Sequence, residues 1–240
     1  MKSRTHKQDS LVIVYDAERL EQPGPECFDP AWWRERGALI GEAQGRGSAF
    51  FLETDFGPAV LRQYLRGGQA ARVSRDRYLF TGFERSRPLA EFRVLARLAE
   101  DGLPVPWPLA ALCRRDGPFY TGWLLTRRIA EALPLADRID DRHDDSDLWL
   151  TVGATIRLFH EYGLVHADLN ARNILVGAAD DIHLIDLDRA RLRAGDTRAF
   201  QANLRRLRRS LEKLWPAPLS DRLEACWTAL RRGYEQGPLR

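Results

Sequence analysis

An aspartate, an asparagine five residues later and a second aspartate closing a short apolar run form the most chemically suggestive pattern in this chain: Asp168, Asn173 and Asp186. They sit in His166-Ala167-Asp168-Leu169-Asn170-Ala171-Arg172-Asn173-Ile174-Leu175 and in Ile185-Asp186-Leu187-Asp188. A carboxylate such as Asp168 can orient an attacking hydroxyl and take its proton. An amide oxygen and a carboxylate are hard donors that can hold Mg²⁺ against nucleotide phosphates. The chemistry these side chains suit is metal-assisted transfer of a phosphoryl group to an alcohol. The plainer use of the same residues is structural, since Asp and Asn cap turns and an Asp often ends a strand.

The elements around the triplet match the catalytic loop of kinases, H-R-D-x-x-x-x-N, and the metal-bearing strand end that follows it. Leu148, Val152, Ile156 and Phe159 share one face of a helix that Gly163 would stop. After the loop come an apolar strand, Ile174-Leu175-Val176, a turn over 177–181, and a second strand, Ile182-His183-Leu184-Ile185, that delivers Asp186. In this reading Asp168 is the catalytic residue, and Asn173 and Asp186 are the metal ligands. Asp188 assists the metal or caps the next turn, and His166 holds the loop by hydrogen bonds.

Upstream, residues 11–65 alternate short apolar runs with Gly and Pro, as an antiparallel sheet would. The segment from Gly41 to Phe50 could cover a nucleotide, because Gly45 and Gly47 would let backbone N–H groups approach phosphate oxygens closely; an ordinary hairpin reads the same way. Ala59-Val60-Leu61-Arg62-Gln63-Tyr64 is a strand with Arg62 where kinases carry a phosphate-contacting lysine. Arginine keeps the charge and adds a planar fork. Ser86 and Pro88 open a helix through about Glu100, closed by Gly102, on which Glu91 can point inward to pair with Arg62. The prolines at 104, 106 and 108 force an extended connection, and a strand over 119–129 should lead into a hinge near Thr126 to Ala130. Between strand and helix lies an arginine cluster. Arg72, Arg75 and Arg77 are its candidates for recognising carboxylate or phosphate on an acidic acceptor, against the alternative of solvated surface residues.

The whole chain bounds these readings. Its 240 residues can bury a real core, and its 37 basic and 34 acidic residues leave a net charge of +3. Lysine occurs only as Lys2, Lys7 and Lys213, so arginine dominates. Such a charge suits an anionic ligand without demanding nucleic acid, and no basic, aromatic groove pattern points to one. The run Leu11 to Tyr15 is too short for a signal-peptide core or a membrane span. Cys27, Cys113 and Cys226 are odd in number and widely spaced, which suggests packing residues in a reducing cytoplasm. Near the end, Phe200, Leu204, Leu207, Leu211 and Leu214 recur at helical spacing with Arg205, Arg206, Arg208, Arg209 and Lys213 on the other faces. That pattern gives a packed helix whose basic side could rest on anionic lipid. The expected fold is α+β and two-lobed, like a protein kinase. It is a single domain with a small antiparallel N-lobe bearing one helix, about 1–128, and a reduced, mostly helical C-lobe, about 129–240.

Taken together, these segments resemble the 3-deoxy-D-manno-octulosonic acid (Kdo) kinase family, protein-kinase-like enzymes of the lipopolysaccharide core. The resemblance rests on Val60-Leu61-Arg62-Gln63-Tyr64 with Arg66-Gly67-Gly68, on Ser74-Arg75-Asp76-Arg77-Tyr78-Leu79 with Thr81-Gly82, and on Glu91-Phe92 leading to Gly102-Leu103-Pro104-Val105-Pro106. It continues through His166 to Asn170 and Ile185 to Asp188. It implies ATP- and Mg²⁺-dependent phosphorylation of the 4-hydroxyl of a Kdo residue on a lipid A precursor. It also implies peripheral work at the cytoplasmic face of the inner membrane, and no required protein partner is evident in the sequence. Other readings stay open on the residues alone, among them another small-molecule phosphotransferase, since the last segments also occur in such enzymes. A compact protein kinase would lack the Ala-Pro-Glu landmark here, and a nucleotide-binding pseudokinase is suggested only by the arginine at position 62.

Overall fold

Leu11-Val12-Ile13-Val14-Tyr15 is rich in β-branched and aromatic residues and too short for a helix, and it forms a fully buried central strand. In the computed structural model the described residues are 1–43, 49–65, 77–139, 146–178, 180–216 and 219–237. They fall into two units: Met1–Asp101 with Pro106–Arg128, and Gly102–Val105 with Ile129–Arg240.

The first unit is built on an antiparallel sheet. Its strands are β1 (Ser3–Gln8), β2 (Leu11–Asp16), β3 (Leu39–Ala43), β4 (Ala49–Thr54), β5 (Gly57–Gln63), β6 (Tyr78–Leu79), β7 (Pro108–Asp116) and β8 (Phe119–Arg127). Their spatial order is β1-β2-β7-β8-β5-β4-β3, with β6 also on β8. The polar first residues form the exposed strand β1 at one edge, where Arg4 and Lys7 discourage pairing with another chain. One face of the sheet gathers Ile13, Leu52, Leu61, Leu112 and Leu125 into a core with Phe28 and Trp33. Trp33 comes from a short helix, α1 (Pro30–Glu35), which lies outside the sequence expectation of one helix here. Asp29 caps it by accepting from the Ala31 N–H at 2.9 Å, and Pro30 starts it.

The expected helix is α2 (Arg87–Glu100), with Ser86 before it and Gly102 at φ +78° after it. Leu89, Phe92, Leu95 and Leu98 face the sheet, and so does Glu91. Burying that carboxylate is costly unless it is paired.

The second unit is mainly helical. Its elements are β9 (Leu133–Pro134), α3 (Ser146–Glu161), β10 (Leu164–Val165), β11 (Ile174–Val176), β12 (Ile182–Leu184), β13 (Arg191–Leu192), α4 (Thr197–Leu214) and α5 (Ser220–Gln236). The strands form two small sheets, β12-β11-β9 and β10-β13. Gly163, at φ +94°, ends α3 in the left-handed conformation that glycine tolerates best. Helix α5 is absent from the sequence expectation, because Leu223, Cys226, Leu230 and Tyr234 make only a sparse apolar stripe after the prolines at 216 and 218. It packs on α3 through two glycines. A Cβ on Gly153 would collide with the Leu230 carbonyl, and one on Gly233 with that of Leu150. Small residues at both crossing points let the helix backbones touch. Among the described residues no helix is long and apolar enough to cross a membrane.

Candidate active site

In the first unit, β5 and α2 bring Arg62 and Glu91 together. Arg62 pairs in register with Ala49 of β4 and Leu124 of β8, in the middle of the sheet. Tyr64, two residues on, projects to the same side, as strand periodicity requires. Arg62 Nη2 lies 2.6 Å from Glu91 Oε1, and the Tyr64 hydroxyl donates to Glu91 Oε2 at 2.5 Å. Arg62 Nη2 also reaches the Tyr64 hydroxyl at 3.3 Å, with its guanidinium carbon 4.8 Å from the Tyr64 ring centre. The Glu91 side chain is 2% exposed and that of Arg62 25%. The carboxylate therefore has lost its water, and both its oxygens are bound by protein donors instead.

Arg77, the described member of the expected acceptor-binding arginines, lies at the surface of the same unit, 3.3 Å from Asp116. Arg72 and Arg75, and Gly45 and Gly47 of the glycine segment, lie outside the described residues.

In the second unit the loop carrying Asp168 and Asn173 is tied to the strand carrying Asp186. His166 Nδ1 accepts from the Asp168 N–H at 3.0 Å, and its Nε2–H donates to the Ile185 carbonyl, also at 3.0 Å. The Ile185 N–H in turn donates to the Asn173 carbonyl at 3.0 Å. One imidazole thus spans the loop and the residue before Asp186. Asp186 itself has φ +58°, a left-handed conformation uncommon outside glycine but tolerated by Asp. Asn173 Nδ2 donates to the Asp168 carbonyl at 2.9 Å, which leaves the amide oxygen to serve a cation. An amide oxygen on a loop pinned to the strand of Asp186 is the donor set that Mg²⁺ prefers.

Three residues of α4, none of them singled out by sequence reasoning, hold this loop. The Asn203 amide clamps His166: Nδ2 donates to the His166 carbonyl at 2.6 Å, and Oδ1 accepts from its N–H at 3.0 Å. Ser210 Oγ accepts from the Ala171 N–H at 3.2 Å. Arg206 Nη1 lies 2.9 Å from Asp168 Oδ1, while Asn170 Nδ2 reaches Oδ2 at 3.2 Å. The one sequence signal for Asn203 is its polar side chain among the buried stripe of Phe200, Leu204, Leu207 and Leu211.

Asn203 Oδ1 also meets His160 Nε2 at 3.4 Å, and His160 Nδ1 meets the Tyr234 hydroxyl at 2.8 Å. An oxygen that only accepts assigns the proton to Nε2, so Nδ1 takes the tyrosine proton. Burial pushes the His160 imidazole down to about 4, with Arg157 and His166 adding to the effect and the Asn203 hydrogen bond opposing it. Burial also lowers His166, against the Ile185 hydrogen bond and the nearby Asp186 and Asp168. Both imidazoles are therefore neutral, and His166 is a brace rather than a proton donor.

A kinase-like α+β fold with an inward Arg–Glu pair and an Asp–Asn loop braced against an aspartate strand belongs to the phosphotransferases that act on hydroxyl groups. Comparison with known proteins narrows the class. Residues 30–234 match the model of the lipopolysaccharide kinase (Kdo/WaaP) family. Over 224 residues, 93% of this chain and 89% of each relative, it is 45% identical to the 3-deoxy-D-manno-octulosonic acid kinase of Xanthomonas euvesicatoria pv. vesicatoria. Over the same span it is 44% identical to that of Xylella fastidiosa and 43% to that of Stenotrophomonas maltophilia. The chain belongs to the lipopolysaccharide kinase (Kdo/WaaP) family and is a kinase, for which ATP is the implied phosphoryl donor.

Two outcomes follow from this geometry. Glu91→Leu should cost about 3–5 kcal/mol by breaking the largely buried pair with Arg62, while Arg62→Met with Glu91→Leu should recover much of that loss without recovering activity. Urea unfolding of the single and double variants checks this, and a double variant no more stable than the single one would contradict it.

The second concerns pH. Above about 6.5 His160 is neutral in both folded and unfolded chains. Between 6.5 and about 4 only the unfolded chain takes the proton, so stability falls as pH falls, by up to ~3 kcal/mol in all. His160→Phe, which keeps the ring stacked on Phe200, should flatten that slope by about 1.4 kcal/mol per pH unit between pH 6 and 5. An unchanged slope in urea titrations would rule His160 out as its source.

Proposed function

We propose that this chain uses ATP to phosphorylate the 4-hydroxyl of a Kdo residue on Kdo-lipid A precursor in lipopolysaccharide core biosynthesis. The observation that carries the reading is the braced Asp168 loop, in a chain 45% identical to a protein named 3-deoxy-D-manno-octulosonic acid kinase. Asp168, exposed on its loop, is the catalytic residue that orients the sugar hydroxyl and accepts its proton. Asn173 and Asp186 are the residues that would hold Mg²⁺, which when bound neutralises charge on the nucleotide phosphates. Arg62, steadied by Glu91 and Tyr64, is a phosphate-binding cation, and Gly45 and Gly47 belong to a phosphate-covering segment. Arg72, Arg75 and Arg77 meet anionic groups of the acceptor. Because phosphoryl transfer needs little covalent help, catalysis rests on this positioning and on fixed charges.

The same reading puts the chain at the cytoplasmic face of the inner membrane, without a required protein partner or nucleic acid. Its support is one face of α4, where Arg198, Arg205, Arg209 and Lys213 are exposed at spacings of one or two helical turns. Glu212, on the flank, turns to Arg208 at 2.8 Å and does not neutralise that face. Such a stripe attracts anionic headgroups at about 1 kcal/mol per charge close to the surface.

Mass spectrometry of Kdo-lipid A precursor incubated with the chain, ATP and Mg²⁺ should show one added phosphate on the Kdo residue. Asp168→Asn and Asp186→Asn should each lower turnover by about 100-fold or more while the fold survives. An unmodified lipid, or near-normal turnover by either variant, would defeat the assignment. Separately, the chain should co-sediment with anionic vesicles and less so at high salt, whereas equal retention by neutral vesicles would contradict an electrostatic membrane contact.

A further inference from the structure

The contact between Arg206 and Asp168 does not behave like a stabilising ion pair. The two side chains are 48% and 59% exposed, and pairs in that setting contribute little to folding. Asn170 already holds the other carboxylate oxygen of Asp168, so the carboxylate has a local anchor within its own loop. Arg206 projects from a helix fixed to the loop on both sides of it, by Asn203 at His166 and by Ser210 at Ala171. Its guanidinium therefore stands at a set place beside the carboxylate. Among the described residues Asp168 is its one partner. With five N–H donors and one of them spent, the fork retains enough to grip a second oxyanion bidentately. Arg209, exposed one turn further along α4, extends the positive field away from the loop.

We infer that Arg206 is the anion-binding residue of the acceptor subsite, taking an oxyanion that the acceptor carries near the hydroxyl oriented by Asp168. This rests on the acceptor proposed above, which offers two such groups, the carboxylate of the sugar acid and the phosphate of its lipid anchor. The carboxylate lies on the same sugar ring as the reacting hydroxyl. A guanidinium hydrogen-bonded to the residue that orients that hydroxyl is in the right neighbourhood to read it. Selectivity then follows, because an acceptor without the anion leaves the remaining guanidinium donors unused beside the reacting group.

The test pairs changes in the protein with changes in the acceptor. Initial rates are measured for the unaltered chain, Arg206→Gln and Arg206→Lys on three acceptors: Kdo-lipid A precursor, its carboxyl methyl ester, and the precursor lacking anchor phosphates. Arg206→Gln should lower kcat/KM on the native acceptor by about 10- to 100-fold, mainly through KM, and Arg206→Lys by less. If the carboxylate is the partner, the unaltered chain should lose a similar factor on the ester, and Arg206→Gln should lose little more there. If the anchor phosphate is the partner, that non-additivity should appear with the dephosphorylated acceptor instead. Losses that multiply on both altered acceptors would overturn the assignment and leave Arg206 as a positioning residue for Asp168. No turnover of the native acceptor by the unaltered chain would refute the proposed reaction itself, and this assignment with it. Near-wild-type melting temperatures of both variants, expected for an exposed side chain, separate loss of binding from loss of fold.

Discussion

A backbone segment that leaves its carboxylate open to a substrate has to satisfy its own buried N–H and C=O groups elsewhere, since each one left unpaired costs more than a hydrogen bond returns. The loop from His166 to Asn173 meets that demand through side chains. Asn203 suits the task because an amide offers a donor and an acceptor side by side, the mirror of a peptide group. It takes both backbone groups of His166 at once. With its backbone fixed, the His166 ring can reach two ways, to the Asp168 N–H and the Ile185 carbonyl. The positions of the candidate base and of the strand leading to Asp186 thus depend on one amide from a helix almost forty residues downstream.

That dependence spreads outward. The same Asn203 oxygen accepts from His160, and His160 accepts from Tyr234 on α5. The relay works only while His160 is neutral with its proton on Nε2, and its burial secures that state at ordinary pH. Helix α5, which contributes no candidate catalytic residue, holds the far end of the relay. Its close approach to α3 through Gly153 and Gly233 keeps Tyr234 within reach of His160. A core that looks like packing is also the support of the site, which is why polar residues persist in it at Asn203 and His160.

The chemistry-bearing residues were legible because their relations are local in sequence. Asp168, Asn173 and Asp186 announce themselves by spacing and by the apolar strands around them, and α2 by its serine, proline and glycine punctuation. The α+β expectation drew on the same local patterns. The supports were not legible, because Asn203, Arg206 and Ser210 acquire meaning only when α4 lies along the loop. On a helical wheel Arg206 is one more member of a basic face, and nothing in the sequence distinguishes the arginine that meets Asp168 from those that face outward. Strand β1 was hidden by its polarity, which an edge strand tolerates, and α5 by its sparse stripe. Gly45, Gly47, Arg72 and Arg75 lie outside the described residues, so their reading still rests on the sequence pattern.

The arginine at position 62 shows how a departure from pattern can be understood from its neighbours. Taken alone, arginine where kinases carry lysine suggests a damaged nucleotide site. Tyr64 changes that reading, because its hydroxyl binds the second oxygen of Glu91 while its ring lies against the guanidinium. A lysine ammonium is a compact point charge, whereas a guanidinium offers a planar face to the ring together with a fork of N–H donors. Arg62, Tyr64 and Glu91 therefore form one unit in which the strand supplies two members, two residues apart, and the helix supplies the third. The strand still carries a cation, and the helix still carries a buried carboxylate that pairs with it. What differs is the shape of the charged head, and the tyrosine beside it is the residue that accommodates that shape. The substitution thus carries no weight for a chain without catalysis, whose case rested on that one position.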